Sequence, residues 1–255
     1  MSKQASTTPS ARPKILFFGD PHSDFDPVIH AVEKLNPEAI ILLGDVQARR
    51  PLHIELASIR NVTDIWYIHG NHDTDVDADY DNLWGSELSD RNLHGRVVSV
   101  ASFKVAGLGG VFRGKIWDPT VPMESAAFDS PKEMLQHVNR GGRARPHDVW
   151  RGGISRKHRS SIFPSDYRAL LVERAHILVT HEAPGAHPHG FQVLDELALS
   201  LGAGLVVHGH HHETVDYRGD VLMPEDSPFR AFGVDKDAYL GWPIQDWQQT
   251  SKNNL

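Results

Sequence analysis

Short apolar runs recur along the chain, and most stop abruptly at a glycine, an acid or a histidine. Lys14 to Phe18, Ala39 to Leu43, Ile65 to Ile68, Ile177 to Thr180 and Leu205 to Val207 are of this kind. Continuous apolarity over so few residues predicts strands buried on both faces. Val97 to Val100 and Phe103 to Leu108 predict two more strands, with Ser102 near their turn. Between the runs the period changes. Val28, Ile29, Val32 and Leu35 recur at helical spacing up to Asn36-Pro37, and Asp24 or Asp26 can cap that helix ahead of Pro27. Further helices are expected from Pro51 through Ile59, from Phe163 to Ala175 with Ser165 as cap, and from Phe191 to Leu201. Short strands are expected within Thr214 to Leu222 and Ser227 to Tyr239.

Strand, helix, strand within Lys14–Leu43 is a βαβ unit, which makes the two strands parallel neighbours. Parallel neighbours end on one sheet edge, where α/β proteins bind their ligands. The residues at these ends are therefore the candidate chemistry: Asp20 and His22, then Asp45, then Asn71 and His72, then His181, then His210 and His212. A lone histidine of this sort is usually a packed core residue. Five strand ends finishing the same way are a pattern. Imidazole, carboxylate and amide together suit Mn²⁺, Fe or Zn²⁺ better than Ca²⁺ or Mg²⁺ alone, and seven such side chains suit two ions better than one.

The rest of the composition narrows the picture. A chain of 255 residues with ordinary hydrophobic content can bury a sizeable core. Cysteine is absent, which removes disulfides, thiolate sites and a cysteine nucleophile, and fits a cytoplasmic location. The net charge of −7 speaks against a general polyanion binder. Residues 1–12 read as a disordered tail without an apolar signal region, residues 13–245 as one domain, and residues 246–255 as a polar tail. No run approaches membrane-spanning length. The acids from Asp73 to Asp81 lack the glycine and terminal glutamate of a calcium loop. Gly107, Gly109 and Gly110 resemble a phosphate loop only loosely. Residues 113–163 read as an insertion or long loop. Its arginines, among them Arg140, Arg143, Arg145, Arg151, Arg156 and Arg159, either form a basic lid over a phosphorylated substrate or balance the acidic remainder.

The ordered set Asp20-x-His22, Gly44-Asp45, Gly70-Asn71-His72-Asp73, His181 and Gly209-His210-x-His212 resembles the calcineurin-like metallophosphoesterase superfamily. The resemblance spans Lys14 to His212 and leaves His208 and His211 outside the ligand set. It implies a four-layer α/β sandwich, αββα, of two mixed sheets flanked by helices. It implies one metal ion on Asp20, His22, Asp45 and His212, and a second on Asp45, Asn71, His181 and His210. Asp45 would bridge the two ions, of Mn²⁺, iron or Zn²⁺, and a shared hydroxide would attack phosphorus in line. His72 would be the catalytic acid or charge stabiliser, with Asp73 as a candidate to orient it or its neighbours. The protein Ser/Thr phosphatase branch has Gly-Asp-x-x-Asp-Arg-Gly at the second motif and Glu after Gly-Asn-His. Here Ala48 replaces the second acid, Asp73 follows His72, and Arg49 stands at the phosphate-binding arginine. The expectation is a metal-dependent phosphoric ester hydrolase acting on a small phosphorylated substrate, as a phosphodiesterase or a phosphatase. A nuclease using the basic stretch and a non-catalytic, metal-stapled binding protein are the alternatives.

Overall fold

The computed structural model describes residues 13–140, 148–220 and 222–243. Both tails expected to be polar, together with Arg143 and Arg145, lie outside the described residues.

In chain order the elements are β1 (Ile15–Phe18), α1 (Asp26–Leu35), β2 (Ala39–Leu43), α2 (Leu52–Glu55), β3 (Asp64–Ile68), α3 (Asp77–Trp84), β4 (Arg96–Val100) and β5 (Phe103–Leu108). Then come α4 (Pro131–Arg140), β6 (Val149–Trp150), β7 (Gly153–Ile154), α5 (Pro164–Leu171), β8 (Ile177–Thr180) and α6 (Gln192–Leu201). β9 (Leu205–His208), β10 (Val215–Asp216), β11 (Arg230–Gly233) and β12 (Tyr239–Trp242) complete the order.

One sheet has the order β12-β1-β2-β3 and the other β10-β11-β9-β8-β5-β4, with β6 and β7 forming a separate hairpin. β1, β2 and β3 are parallel, as are β5, β8, β9 and β11, while β12, β10 and β4 pair antiparallel at the margins. The alternation of side chains then builds three apolar layers. Ile15, Phe17, Ile41 and Leu43 meet Val105, Val179 and Val207 between the sheets. Leu16, Ile40, Leu42 and Tyr67 face Val28, Val32, Leu52 and Leu83 on the helices of the first sheet. Ala106, Leu178 and Val206 face Tyr167, Leu170, Leu194 and Leu197 of α5 and α6. This is the expected αββα sandwich. The runs lack polar alternation because each central strand has an apolar layer on both sides.

The helix ends follow local chemistry. Asp24 accepts the Asp26 N–H at the start of α1, and α1 stops at Asn36, whose φ of 47° precedes Pro37. Two expectations need correction. Only one α-turn, Leu52–Glu55, forms in Pro51–Ile59, and hydrogen-bonded turns carry the chain onward to Thr63. Ser165 does not cap α5. Phe163 holds that place, with its N–H donated back to Asp166, and the helix ends at Leu171. Pro164 at the first position explains the shift, because its missing N–H needs no partner there. Among the described residues no helix is long and apolar enough to cross a membrane.

Candidate metal centre

The turns after β1, β2, β3, β8 and β9 converge, because parallel strands deliver their ends to one edge of each sheet. All seven candidate ligands sit on these turns. Twelve non-glycine residues among the described ones have positive φ, and five of them are Asp20, His22, Asp45, His210 and His212. Such backbone costs about 1–3 kcal/mol per residue and gathers where function requires it. Glycines make the crowding possible. A Cβ on Gly70 would stand 2.2 Å from Asp45 Oδ1. One on Gly44, itself at φ +104°, would stand 2.4 Å from His181 Nδ1.

Asp45 occupies the middle. Its Oδ1 lies 3.4 Å from His181 Nε2, while its Oδ2 lies 3.9 Å from His22 Nε2. On the Oδ1 side, His181 Nε2 is 3.3 Å from Asn71 Oδ1, and ligand atoms of Asp45, His181 and His210 lie within 4.8 Å of one another. On the Oδ2 side, His22 Nε2 is 3.0 Å from His212 Nε2, and His212 Nε2 is 3.9 Å from Asp20 Oδ2. The structure therefore brings all seven residues together around Asp45, and Asp20 Oδ1 also lies 3.6 Å from His181 Nδ1.

Two imidazoles are already set for coordination. His181 donates Nδ1–H to the Leu43 carbonyl at 2.8 Å, and His22 donates Nδ1–H to Gln47 Oε1 at 2.6 Å. Each leaves Nε2 facing the cluster, which is how outer partners fix a metal-binding tautomer. Asp20 Oδ1 is buried and has no hydrogen-bond partner. A cation there would resolve an otherwise costly burial, so the residues fit a metal.

The electrostatics point the same way. Burial pushes the Asp20 carboxyl up to about 7, against the pull of the His181 charge. Burial also opposes ionisation of Asp45, but the charge and hydrogen bond of His181 outweigh it and hold that carboxyl well below its ordinary range. Burial disfavours the proton on His181, yet Asp45 and Asp20 raise it to about 10. In the metal-free chain that proton stands in for a cation. Burial and the His181 charge lower His210 to about 3, which favours the neutral imidazole that coordination needs.

His72 stands apart from the ligands. Its side chain is 45% exposed, its backbone N–H donates to Asp45 Oδ1, and its Nδ1 donates to Asp75 Oδ2 at 2.5 Å. Burial lowers its proton affinity, but the Asp75 hydrogen bond and the Asp45 charge leave it raised overall. Asp73 has no hydrogen bond to the His72 imidazole and instead orients the neighbouring backbone. It is fully buried and accepts the N–H groups of Gln47 and Gly70, tying the second and third turns together. Arg49 is exposed.

The sequence reading missed Gln47, Asp75 and Glu182, and took Arg156 only as part of the basic stretch. Glu182 Oε1 accepts the Phe112 N–H, its Oε2 is 3.8 Å from His210 Nε2, and it forms a second close group with His210 and His211. Burial raises its carboxyl to about 7. Its place directly after His181 was the available signal. His208 turns away to the Tyr217 hydroxyl at 2.8 Å, consistent with its exclusion from the ligand set. Arg156 donates Nε–H to the Thr74 carbonyl at 3.0 Å, and its other nitrogens reach the Asp75 carbonyl and Asp77. Arg151 pairs with Asp77 and Asp81, and Arg159 lies over Tyr80 and Trp150. Arg151 and Arg156 thus balance acids of α3, whereas Arg159 is held by rings and uncharged acceptors.

This fold and this cluster are those of a metal-dependent phosphoesterase scaffold. The calcineurin-like phosphoesterase family matches residues 13–214, and the chain belongs to that family. An uncharacterized protein of Haemophilus influenzae Rd is 45% identical over 204 residues, which cover 80% of this chain and 85% of that one. The crystal structure of TT1561 of Thermus thermophilus superposes with a TM-score of 0.54 at 13% identity, over 94% of this chain and 99% of that one. At that identity the likeness concerns the fold alone.

Proposed function

We propose that the protein is a dinuclear metal-dependent phosphoesterase acting on a small phosphate ester, a monoester, diester or nucleotide. One observation carries the reading: the two oxygens of Asp45 face two different ligand groups. Asp20, His22, Asp45 and His212 would hold one ion, and Asp45, Asn71, His181 and His210 the other. Two such ions, when bound, supply phosphoryl charge neutralisation and a nucleophile at neutral pH. Mn²⁺, iron and Zn²⁺ all suit the donor set.

The chain's own residues do the rest. His22 and His181 are held as Nε2 ligands by Gln47 and Leu43. Against burial, Asp75 and Asp45 shift His72 toward its charged form. With Nδ1 given to Asp75, the proton that leaves for the ester's departing oxygen is the one on Nε2. In the protein phosphatase branch the acid beside this histidine comes from the second motif. Here that position is Ala48, and Asp75 fills the role from the third turn. This favours a small-molecule phosphoesterase over a protein phosphatase. The test is hydrolysis of 4-nitrophenyl phosphate and bis(4-nitrophenyl) phosphate by purified protein loaded with Mn²⁺. Activity on at least one ester, lost with a chelator and restored by metal, is expected. Undiminished hydrolysis by metal-free protein overturns the mechanism, and no hydrolysis by protein shown to hold two ions leaves the metal-stapled binding protein.

A further inference from the structure

β5 runs parallel to β8 with Leu108 opposite Thr180, and the Leu108 carbonyl accepts the His181 N–H at 3.3 Å. The chain leaving β5, Gly109-Gly110-Val111-Phe112-Arg113, therefore emerges at the metal centre, yet it supplies none of the candidate ligands. Its backbone is held on both sides. The Gly110 N–H donates to the His69 carbonyl at 2.6 Å, and a Cβ on Gly110, which has φ +83°, would stand 2.5 Å from the Ser160 carbonyl oxygen. The Val111 N–H donates to Ser160 and its carbonyl accepts from Ile162, each at 3.0 Å. The Arg113 carbonyl then accepts the N–H groups of Ile116 and Trp117 at 2.7 and 2.9 Å. Arg113 is thus a fixed point at the end of the glycine run.

Its side chain is half-buried and little used by the protein. Among the described residues the guanidinium makes one hydrogen bond, from Nη1 to the Ser160 carbonyl, and 3.5 Å is long for it. No carboxylate of those residues is in ion-pair contact with it. Burial disfavours its charge, and the acids that act against this are Glu182 and then Asp75. Both acids are engaged elsewhere. Glu182 accepts the Phe112 N–H at 3.0 Å and its other oxygen is 3.8 Å from His210 Nε2, while Asp75 Oδ2 takes His72 Nδ1 at 2.5 Å. These contacts put Arg113 on the side of the centre that carries His210 and His72, with a fork of N–H donors that the protein leaves largely unmatched.

We propose that Arg113 binds a terminal oxygen of the substrate's phosphoryl group, and that the substrate is a phosphate monoester. The inference rests on the phosphoesterase reading above. A monoester differs from a diester by one more terminal oxygen and its negative charge. Metal ions neutralise phosphoryl charge when bound, and the additional oxygen is what the chain's own donors can read. A guanidinium suits it, because its planar fork matches phosphate. The surroundings add positive charge: after burial, it is Arg113, Lys157 and Lys115 that disfavour the proton on His158.

The test titrates the full chain, loaded with Mn²⁺, by calorimetry at pH 8 with two analogues that cannot be hydrolysed. Phenylphosphonate has the terminal oxygens of a monoester, and methyl(phenyl)phosphinate those of a diester. The natural chain should bind the phosphonate more tightly. Arg113→Gln should weaken the phosphonate by about tenfold or more, the loss of a charge-assisted hydrogen bond, and the phosphinate by much less. Lys115→Gln removes a neighbouring exposed charge and should change either affinity little, because solvent and salt screen it. Elemental analysis and circular dichroism check the metal content and fold of each variant. If Arg113→Gln unfolds, Arg113→Lys carries the test: it keeps the charge but loses the fork, and should still weaken the phosphonate more than the phosphinate. Equal weakening of both analogues, no weakening, or an equal effect from Lys115→Gln overturns the role of Arg113 and leaves the phosphoesterase reading standing. Metal-loaded natural chain that binds neither analogue and hydrolyses no ester overturns both.

Discussion

The His72 backbone N–H donates to Asp45 Oδ1 at 2.9 Å, yet the mechanism proposed above gives the two residues opposite tasks. Asp45 is 1% exposed with an oxygen toward each ligand group, so removing it should affect both ions at once. Asp45→Ala is expected to purify with neither metal, and elemental analysis showing full occupancy would remove it from the bridging position. His72 is open to solvent and bonded through Nδ1 to an acid. His72→Asn is therefore expected to keep both metals and the fold. On an ester with a poor leaving group its kcat should fall by about 10²–10⁴, the range for general acid catalysis. An ester whose leaving group departs without a proton should lose much less. Equal losses on both esters would make His72 a charge stabiliser, and loss of metal would make it a ligand.

At the scale of elements, the segment after β7 locks the turn that carries His72. Arg156 holds the carbonyls of Thr74 and Asp75, and Asp75 holds the imidazole. Arg156→Ala should lower kcat on the poor-leaving-group ester by roughly tenfold, the value of a charge-assisted hydrogen bond, with KM little changed. Arg156→Lys should recover part of it. Arg151→Ala removes an exposed, solvent-screened pair with Asp81 and should leave kcat unaltered. Equal effects from the two arginines would mean that the hairpin matters only as a surface brace. These contacts were not legible in the sequence, and the reason is physical. The ligands occupy fixed places at strand ends, and the strands announce themselves because both faces are buried. β6 and β7 have two residues each, and α4 buries no residue fully. The hairpin is positioned by Trp150 against Tyr80 and by Arg151 against Asp81, contacts some seventy positions apart along the chain. Gln47, Asp75 and Glu182 act through other side chains, so no motif spacing marks them.

At the scale of the whole molecule, the buried acids make metal affinity and stability one problem. In metal-free protein Asp20, Asp73 and Glu182 each have a carboxyl raised by burial to about 7. A raised acid stabilises the fold below its unfolded value near 4, and that contribution is lost as pH rises toward 7. For a single group held that high the loss is on the order of 4 kcal/mol. His181 extends the window. Its proton is held to about 10, so its contribution is full below the ordinary imidazole value and fades as pH climbs beyond it. Metal binding needs the opposite forms, an ionised Asp20 and a His181 free of its Nε2 proton, and so releases protons. The rise in Tm on adding Mn²⁺ should therefore be small at pH 5 and grow steadily through pH 6, 7 and 8. Thermal unfolding with Mn²⁺ and with chelator at each pH measures it. Asp20→Asn removes the buried carboxylate, so its metal-free Tm should fall less between pH 5 and pH 8 than that of the natural chain, and its gain from Mn²⁺ should be much reduced. A Tm gain independent of pH would show that neither Asp20 nor His181 yields a proton to the metal, and would take both out of the ligand set.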